Sequence, residues 1–219
     1  RQVAWGGGAG PFGAEFVALH LRAVAERARM ELAAAADAQG LEWSFETLRG
    51  DLASLAAEMT ARDLVVAGML TRPVAGYFRV ECRWWTSIGA AAGPVLFSRG
   101  SWAAHGPVAV LLHARSPGSG RLLEAAARIA ELAGSRLVVS AAPALVAAAG
   151  FREWLADRLA GFSLQPAIET APSGPAALRR RIAELGCRLL ALDPAAMEGA
   201  ANRIEEFAAL FACDVLVAR

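Results

Sequence analysis

Apolar and polar positions alternate with two distinct periods along the C-terminal half of the chain. Val108–Leu112 ("VAVLL") is a short, continuous apolar run, as expected for a strand buried on both faces. Ser116-Pro117 then opens a helix, with Ser as N-cap and Pro as its first residue. Leu122, Leu123, Ala126, Ile129, Ala130 and Ala133 form one apolar stripe that Gly134 ends. A second strand is expected over Arg136–Ser140, a helix over Pro143–Ala160, and a more exposed strand over Ser163–Thr170, where Pro166 indicates a sheet edge. Pro175–Leu185 reads as helix, Arg188–Leu192 as strand, Glu198–Phe211 as helix and Val215–Val217 as a last strand. Strands alternating with helices predict a parallel sheet with helices on both faces.

The N-terminal half repeats the end of that order. Its expected elements are a long helix (Phe12–Gln39), a strand (Glu42–Leu48, with Trp43 and Phe45 on one face), a helix (Leu52–Thr60) and strands at Asp63–Ala67 and Val95–Ser98. "ARDLVVAG" at 61–68 answers "GCRLLALD" at 186–193, and "GPVLFSR" at 93–99 answers "CDVLVAR" at 213–219. The shared offset, about 120–125 residues, is too long for a solenoid and suits a duplicated domain. Two units are expected: a first, 1–100, lacking its opening strand, helix and strand, and a complete second, 101–219. Because the chain starts at Arg1 inside that pattern, it reads as a piece of something longer.

Composition narrows the chemistry. The 219 residues are 56% hydrophobic, enough for a sizeable core, and the net charge is +1, from 22 basic and 21 acidic residues. Every basic residue is Arg, which excludes the lysine of a P-loop or a Schiff-base enzyme. Near-neutral charge argues against nucleic-acid binding. Cys82, Cys187 and Cys213 lie far apart, with no C-x-x-C, so neither a disulfide scaffold nor a zinc site is expected and a reducing cytoplasm is the default. No apolar run reaches the roughly 18–20 residues that span a bilayer, so no membrane association is expected.

The segments "VAVLLHARSPGSGRLLEAAARIAELAGSRLVVS", "RDLVVAG" and "GPVLFSR" together resemble the universal stress proteins in their tandem form. That resemblance implies an α/β fold of two Rossmann-like, adenine-nucleotide-α-hydrolase-type units. The complete second unit would be a five-stranded parallel sheet in the order 3-2-1-4-5. It also implies ATP held by an Asp ending the first strand and a G-x2-G-x9-G-[ST] loop after the fourth. Such a loop lets backbone N–H groups approach phosphates. Dimers are implied too, either a homodimer or a pseudo-dimer of the tandem units, with "VLVAR" as an apolar edge strand for a partner to cover.

Position by position, the nucleotide pattern is eroded. In the second copy Ala114 stands where the Asp belongs, Asp193 replaces the first loop glycine, and Pro194–Asn202 is too short for the loop. In the first copy the pattern falls on Gly68, Thr71, Glu81 and Cys82, with only the first glycine kept. These four are the candidate, degenerate cofactor-binding residues. No metal ligands or catalytic residues are assigned: His20, His105 and His113 have no local carboxylate at ligand spacing. Ser116 and Ser119 lie outside any nucleophile elbow, and Arg115 reads as a surface arginine. "YFRVECRWW" (77–85) puts Phe78, Cys82 and Trp85 on one helical face, suited to packing, and "WGGGAGPFG" (5–13) reads as a connector. The leading expectation is a non-enzymatic, cytoplasmic stress-response protein with degenerate nucleotide sites and no cofactor. The alternative is an ATP- or AMP-binding sensor or weak ATPase using the first copy.

Overall fold

Seven short strands join into one sheet. The computed structural model describes residues 14–47, 60, 63–68, 93–99, 105–193 and 210–218. In chain order the elements are α1 (Ala14–Gln39), β1 (Val65–Gly68), β2 (Val95–Ser98), β3 (Val108–Leu112), α2 (Pro117–Leu132), β4 (Leu137–Ala141), α3 (Pro143–Val146), α4 (Phe151–Leu159), β5 (Ala167–Thr170), α5 (Pro175–Leu185), β6 (Leu189–Leu192) and β7 (Asp214–Val217). Residues 1–50, with α1, form one compact unit; residues 51–219, with all the described strands, form the other.

The sheet runs β1-β2-β7-β6-β3-β4-β5. From β7 to β5 every neighbour is parallel, so the second half alone has the order 3-2-1-4-5. Its apolar strands read as continuous runs because both faces are covered. On one face Val108, Val110, Leu112, Leu189, Ala191 and Leu216 pack under α2 and α4, through Leu122, Leu123, Ala126, Phe151 and Leu155. On the other, Ala109, Leu111, Leu190, Leu192, Val215 and Val217 pack with Leu178 and Ile182 of α5. Alternation along each strand therefore divides the residues between two cores.

β1 and β2 extend this sheet. They are parallel, with Val65 opposite Val95, just as Leu190 of β6 stands opposite Val215 of β7. β2 then pairs antiparallel with β7, matching Val95 to Val217, Leu96 to Leu216 and Phe97 to Val215. The expectation that "VLVAR" forms an open edge is thereby corrected: β7 is interior, because the chain's own β2 supplies its neighbour.

Three other expectations change. The single helix over Pro143–Ala160 is two, α3 and α4, separated by a turn in which Gly150 has φ +75; that left-handed backbone cannot continue a helix. The strand expected at Glu42–Leu48 is not formed over residues 42–47, which pair with no described strand. Alternation alone does not make a strand without a neighbour to take its hydrogen bonds. The helix expected over Glu198–Phe211 is absent at Leu210 and Phe211, which lie in a turn and bend. Its remainder lies outside the described residues, as does all but Thr60 of the helix expected at Leu52–Thr60.

Candidate functional site

The strand order 3-2-1-4-5 reverses its direction of progression between β3 and β6, which places a crevice where they adjoin. α2 lies on one face and α5 on the other. The carboxyl ends of β3 and β6, and the first turn of α2, form this crevice. His113, Ala114 and Arg115 follow β3 and are exposed.

Ser116 is the N-cap of α2, with extended backbone and a side chain that accepts from the Ser119 N–H at 3.0 Å. Pro117 follows as the first helical residue, where its missing N–H costs nothing. The Ser116 and Ser119 hydroxyls are 2.9 Å apart. Ser119 is buried, and its hydroxyl donates to Asp193 Oδ2 at 3.4 Å. The carboxylate following β6 is thus held at the positive end of a 16-residue helix, the place where an exogenous anion would otherwise bind. Gly118 and Gly120, which flank Ser119, are also buried. A Cβ on Gly120 would press on the Arg158 guanidinium at 3.1 Å, and Arg158 in turn donates to Glu124 at 2.9 Å.

Arg115, which precedes the Ser116 cap, directs its guanidinium to the neighbouring turn. Its Nη1 donates to the Ala149 carbonyl at 3.3 Å, beside the Gly150 turn. Ala114, between His113 and Arg115, presents an exposed methyl after the end of β3.

In the first half, Gly68 ends β1, paired with Ser98 of β2. Thr71, Glu81 and Cys82 lie outside the described residues, as does the segment from Pro194 to residue 209. A residue not singled out from sequence lies at the end of β2. Asp214, buried at the start of β7, accepts from the Arg99 N–H at 2.9 Å and the Ser98 hydroxyl at 3.5 Å. It reaches them only because β2 and β7 run antiparallel, a pairing with no local signal in the sequence. Among the described residues no group of three or more His, Cys, Asp and Glu side chains is placed to hold a metal. Among them, too, no helix is long and apolar enough to cross a membrane.

The architecture is a doubly wound, Rossmann-like α/β sheet with its crevice at the strand carboxyl ends. More narrowly, it is the fold of the universal stress proteins. A universal stress protein from Archaeoglobus fulgidus DSM 4304 superposes with a TM-score of 0.63 at 12% identity, covering 96% of this chain and 81% of that one. A Pseudomonas aeruginosa UCBPP-PA14 protein described as a putative universal stress protein gives 0.56 at 21% identity, covering 88% and 77%. A functionally unknown protein from Pseudomonas aeruginosa PAO1 gives 0.53 at 20% identity, covering 88% and 76%. No protein-family model and no curated protein matches the chain.

Proposed function

We propose that the chain is a tandem universal stress protein that acts by interaction, without catalysis, in the cytoplasm. In this reading β2 and β7 join two copies of one unit as a built-in pseudo-dimer. The crevice of the second copy no longer takes a nucleotide. One observation carries that last point: the Asp193 carboxylate lies against Ser119 at the first turn of α2. A phosphate entering there meets a like charge, and Ser119 already donates to it. Ala114 adds to the loss, because a methyl offers a ribose hydroxyl no acceptor.

The alternative, an adenine-nucleotide sensor built on the first copy, draws on Gly68 at the end of β1, the one candidate site residue that the structure describes. Titration calorimetry of the full chain with ATP and with AMP separates the readings. Each lost contact costs on the order of 1–3 kcal/mol, enough together to push a micromolar site beyond millimolar, so no heat of binding is expected. A dissociation constant below about 100 μM, near 5.5 kcal/mol, would overturn the reading. Should binding occur, Asp193→Arg tells which crevice is used: an altered affinity points to the second copy, an unaltered one to the first.

A further inference from the structure

The joint between β2 and β7 is alike in its middle and unlike at its ends. Its register pairs Val95 with Val217, Leu96 with Leu216 and Phe97 with Val215. Carried one residue further at each end, that register sets Pro94 opposite Ala218 and Ser98 opposite Asp214. The first end has no polar side chain. At the second, Asp214 is only 2% exposed. Its Oδ1 accepts from the Arg99 N–H at 2.9 Å and its Oδ2 from the Ser98 hydroxyl at 3.5 Å. Burying a carboxylate is costly unless donors reach it, and here each oxygen has one.

An apolar triplet such as V-L-V does not by itself choose its neighbour. Three pairings keep the same antiparallel register: β2 with β7, β7 with the β7 of a second copy, and β2 with the β2 of a second copy. Each puts leucine opposite leucine and fills the flanking positions with Val or Phe. They differ at the ends. Pairing β7 with a second β7 would bury two Asp214 carboxylates, each set opposite the methyl of the other copy's Ala218. Both would keep a backbone N–H, from residue 219, and both would lose the hydroxyl. Pairing β2 with a second β2 would set each Ser98 hydroxyl opposite Pro94, which has no side-chain acceptor. Among the three, only the observed joint matches one carboxylate with one hydroxyl.

We propose that Asp214 selects the strand that lies beside β7. It favours a strand bearing a hydroxyl one residue beyond its apolar triplet, as β2 does in V-L-F-S. It disfavours a second copy of β7, whose matching residue is Ala218. The apolar triplets hold the joint together, and the polar end decides between unlike and like halves. The inference rests on the two-copy reading above and is independent of the nucleotide crevice.

Cross-linking of the full chain on refolding tests it, in a Cys82→Ser background. Leu216→Cys reports β7 against a second β7, because that pairing sets the two 216 positions face to face. Leu96→Cys combined with Leu216→Cys reports the observed joint. The chain is refolded at about 0.3 mM, near the millimolar effective concentration of segments tethered in one chain, and oxidised with copper phenanthroline. Peptide mass spectrometry then counts each link. With Asp214 in place the 216–216 link is expected to be rare, and Asp214→Ala should raise it about tenfold or more. Ala218→Ser leaves the contacts of Asp214 in the observed joint untouched and gives the like pairing its hydroxyl. It should raise the link about threefold or more, and it carries the test if Asp214→Ala does not fold. An unchanged 216–216 link in either folded variant overturns the proposal. So does a parent 216–216 link as abundant as the 96–216 link. Absence of the 96–216 link sinks the two-copy joint itself; its presence beside an unresponsive 216–216 link sinks the selection alone.

Discussion

Leu96 of β2 and Leu216 of β7 stand directly opposite each other where the two strands run antiparallel, and both are buried. Val95 meets Val217 on one side of them and Phe97 meets Val215 on the other. Each triplet, V-L-F or V-L-V, meets its counterpart as it would in an isologous dimer, with the leucine pair at the two-fold centre. Leu216→Ala is expected to cost about 2–5 kcal/mol, the range for truncating a buried leucine. Urea unfolding followed by tryptophan fluorescence measures it, and a loss below about 0.5 kcal/mol would take this joint out of the core.

Close backbone approach gives a second expectation. Gly106 has φ +126, and a Cβ there would collide with the Gly186 carbonyl just ahead of β6. Gly106→Ala therefore suffers both strained backbone and overlap, and should cost roughly 2 kcal/mol or more. Gly134 is the control: its φ is +56, but a Cβ there would meet nothing within 4 Å, so Gly134→Ala should cost only about 1 kcal/mol. Equal melting temperatures for the two variants would contradict the packing at Gly106.

A third concerns acid. Glu169 of β5 accepts from Arg181 Nη2 and from the buried Ser140 hydroxyl, each at 2.6 Å. The Arg181 hydrogen bond is the main cause that holds the Glu169 carboxyl below its ordinary 4.5, against a smaller opposing effect of burial. The folded chain thus binds this proton less readily than the unfolded chain. The pair's stabilisation is complete above 4.5 and fades as pH falls through the lowered value. Because Arg181 is 40% exposed, solvent screening keeps the effect small. Glu169→Gln should be less stable than the parent at pH 7, and the gap should close toward pH 3. A gap that stays constant with pH would refute this assignment.

A fourth concerns thiols. Burial, above all, pushes the Cys187 thiol up to about 12 and the Cys213 thiol up to about 11. Thiolate is then scarce at pH 8, and the sulfurs are covered as well. Alkylation of these two cysteines in the folded chain is expected to be on the order of a hundredfold slower than in denaturant. Peptide mass spectrometry reads each site apart from Cys82, and rapid native labelling at Cys187 or Cys213 would show that this core opens.

Much of the sheet was legible in local patterns. Val95–Ser98, Val108–Leu112 and Pro175–Leu185 have the bounds their periodicity predicts, because burial on two faces leaves an unbroken apolar run and burial on one leaves a stripe. What was hidden depends on contacts distant in sequence. The antiparallel neighbour of β7 comes from about 120 residues away, where no period reports it. The Ser119–Asp193 bond is hidden for the same reason. Asp193 reads from sequence as a charge that repels phosphate; its tether to the helix start emerges only when β3 and β6 lie side by side. The break at Gly150 was masked by alanines that suit a helix on either side of it.

The antiparallel joint has a further consequence for geometry. β1 and β2 point one way and β7, β6, β3, β4 and β5 the other. The carboxyl end of β1, at Gly68, and the carboxyl end of β6, at Leu192, therefore lie on opposite rims of one sheet. Among the described strands, the path from one rim to the other runs across four neighbours, β1, β2, β7 and β6, joined by one hydrogen-bond ladder.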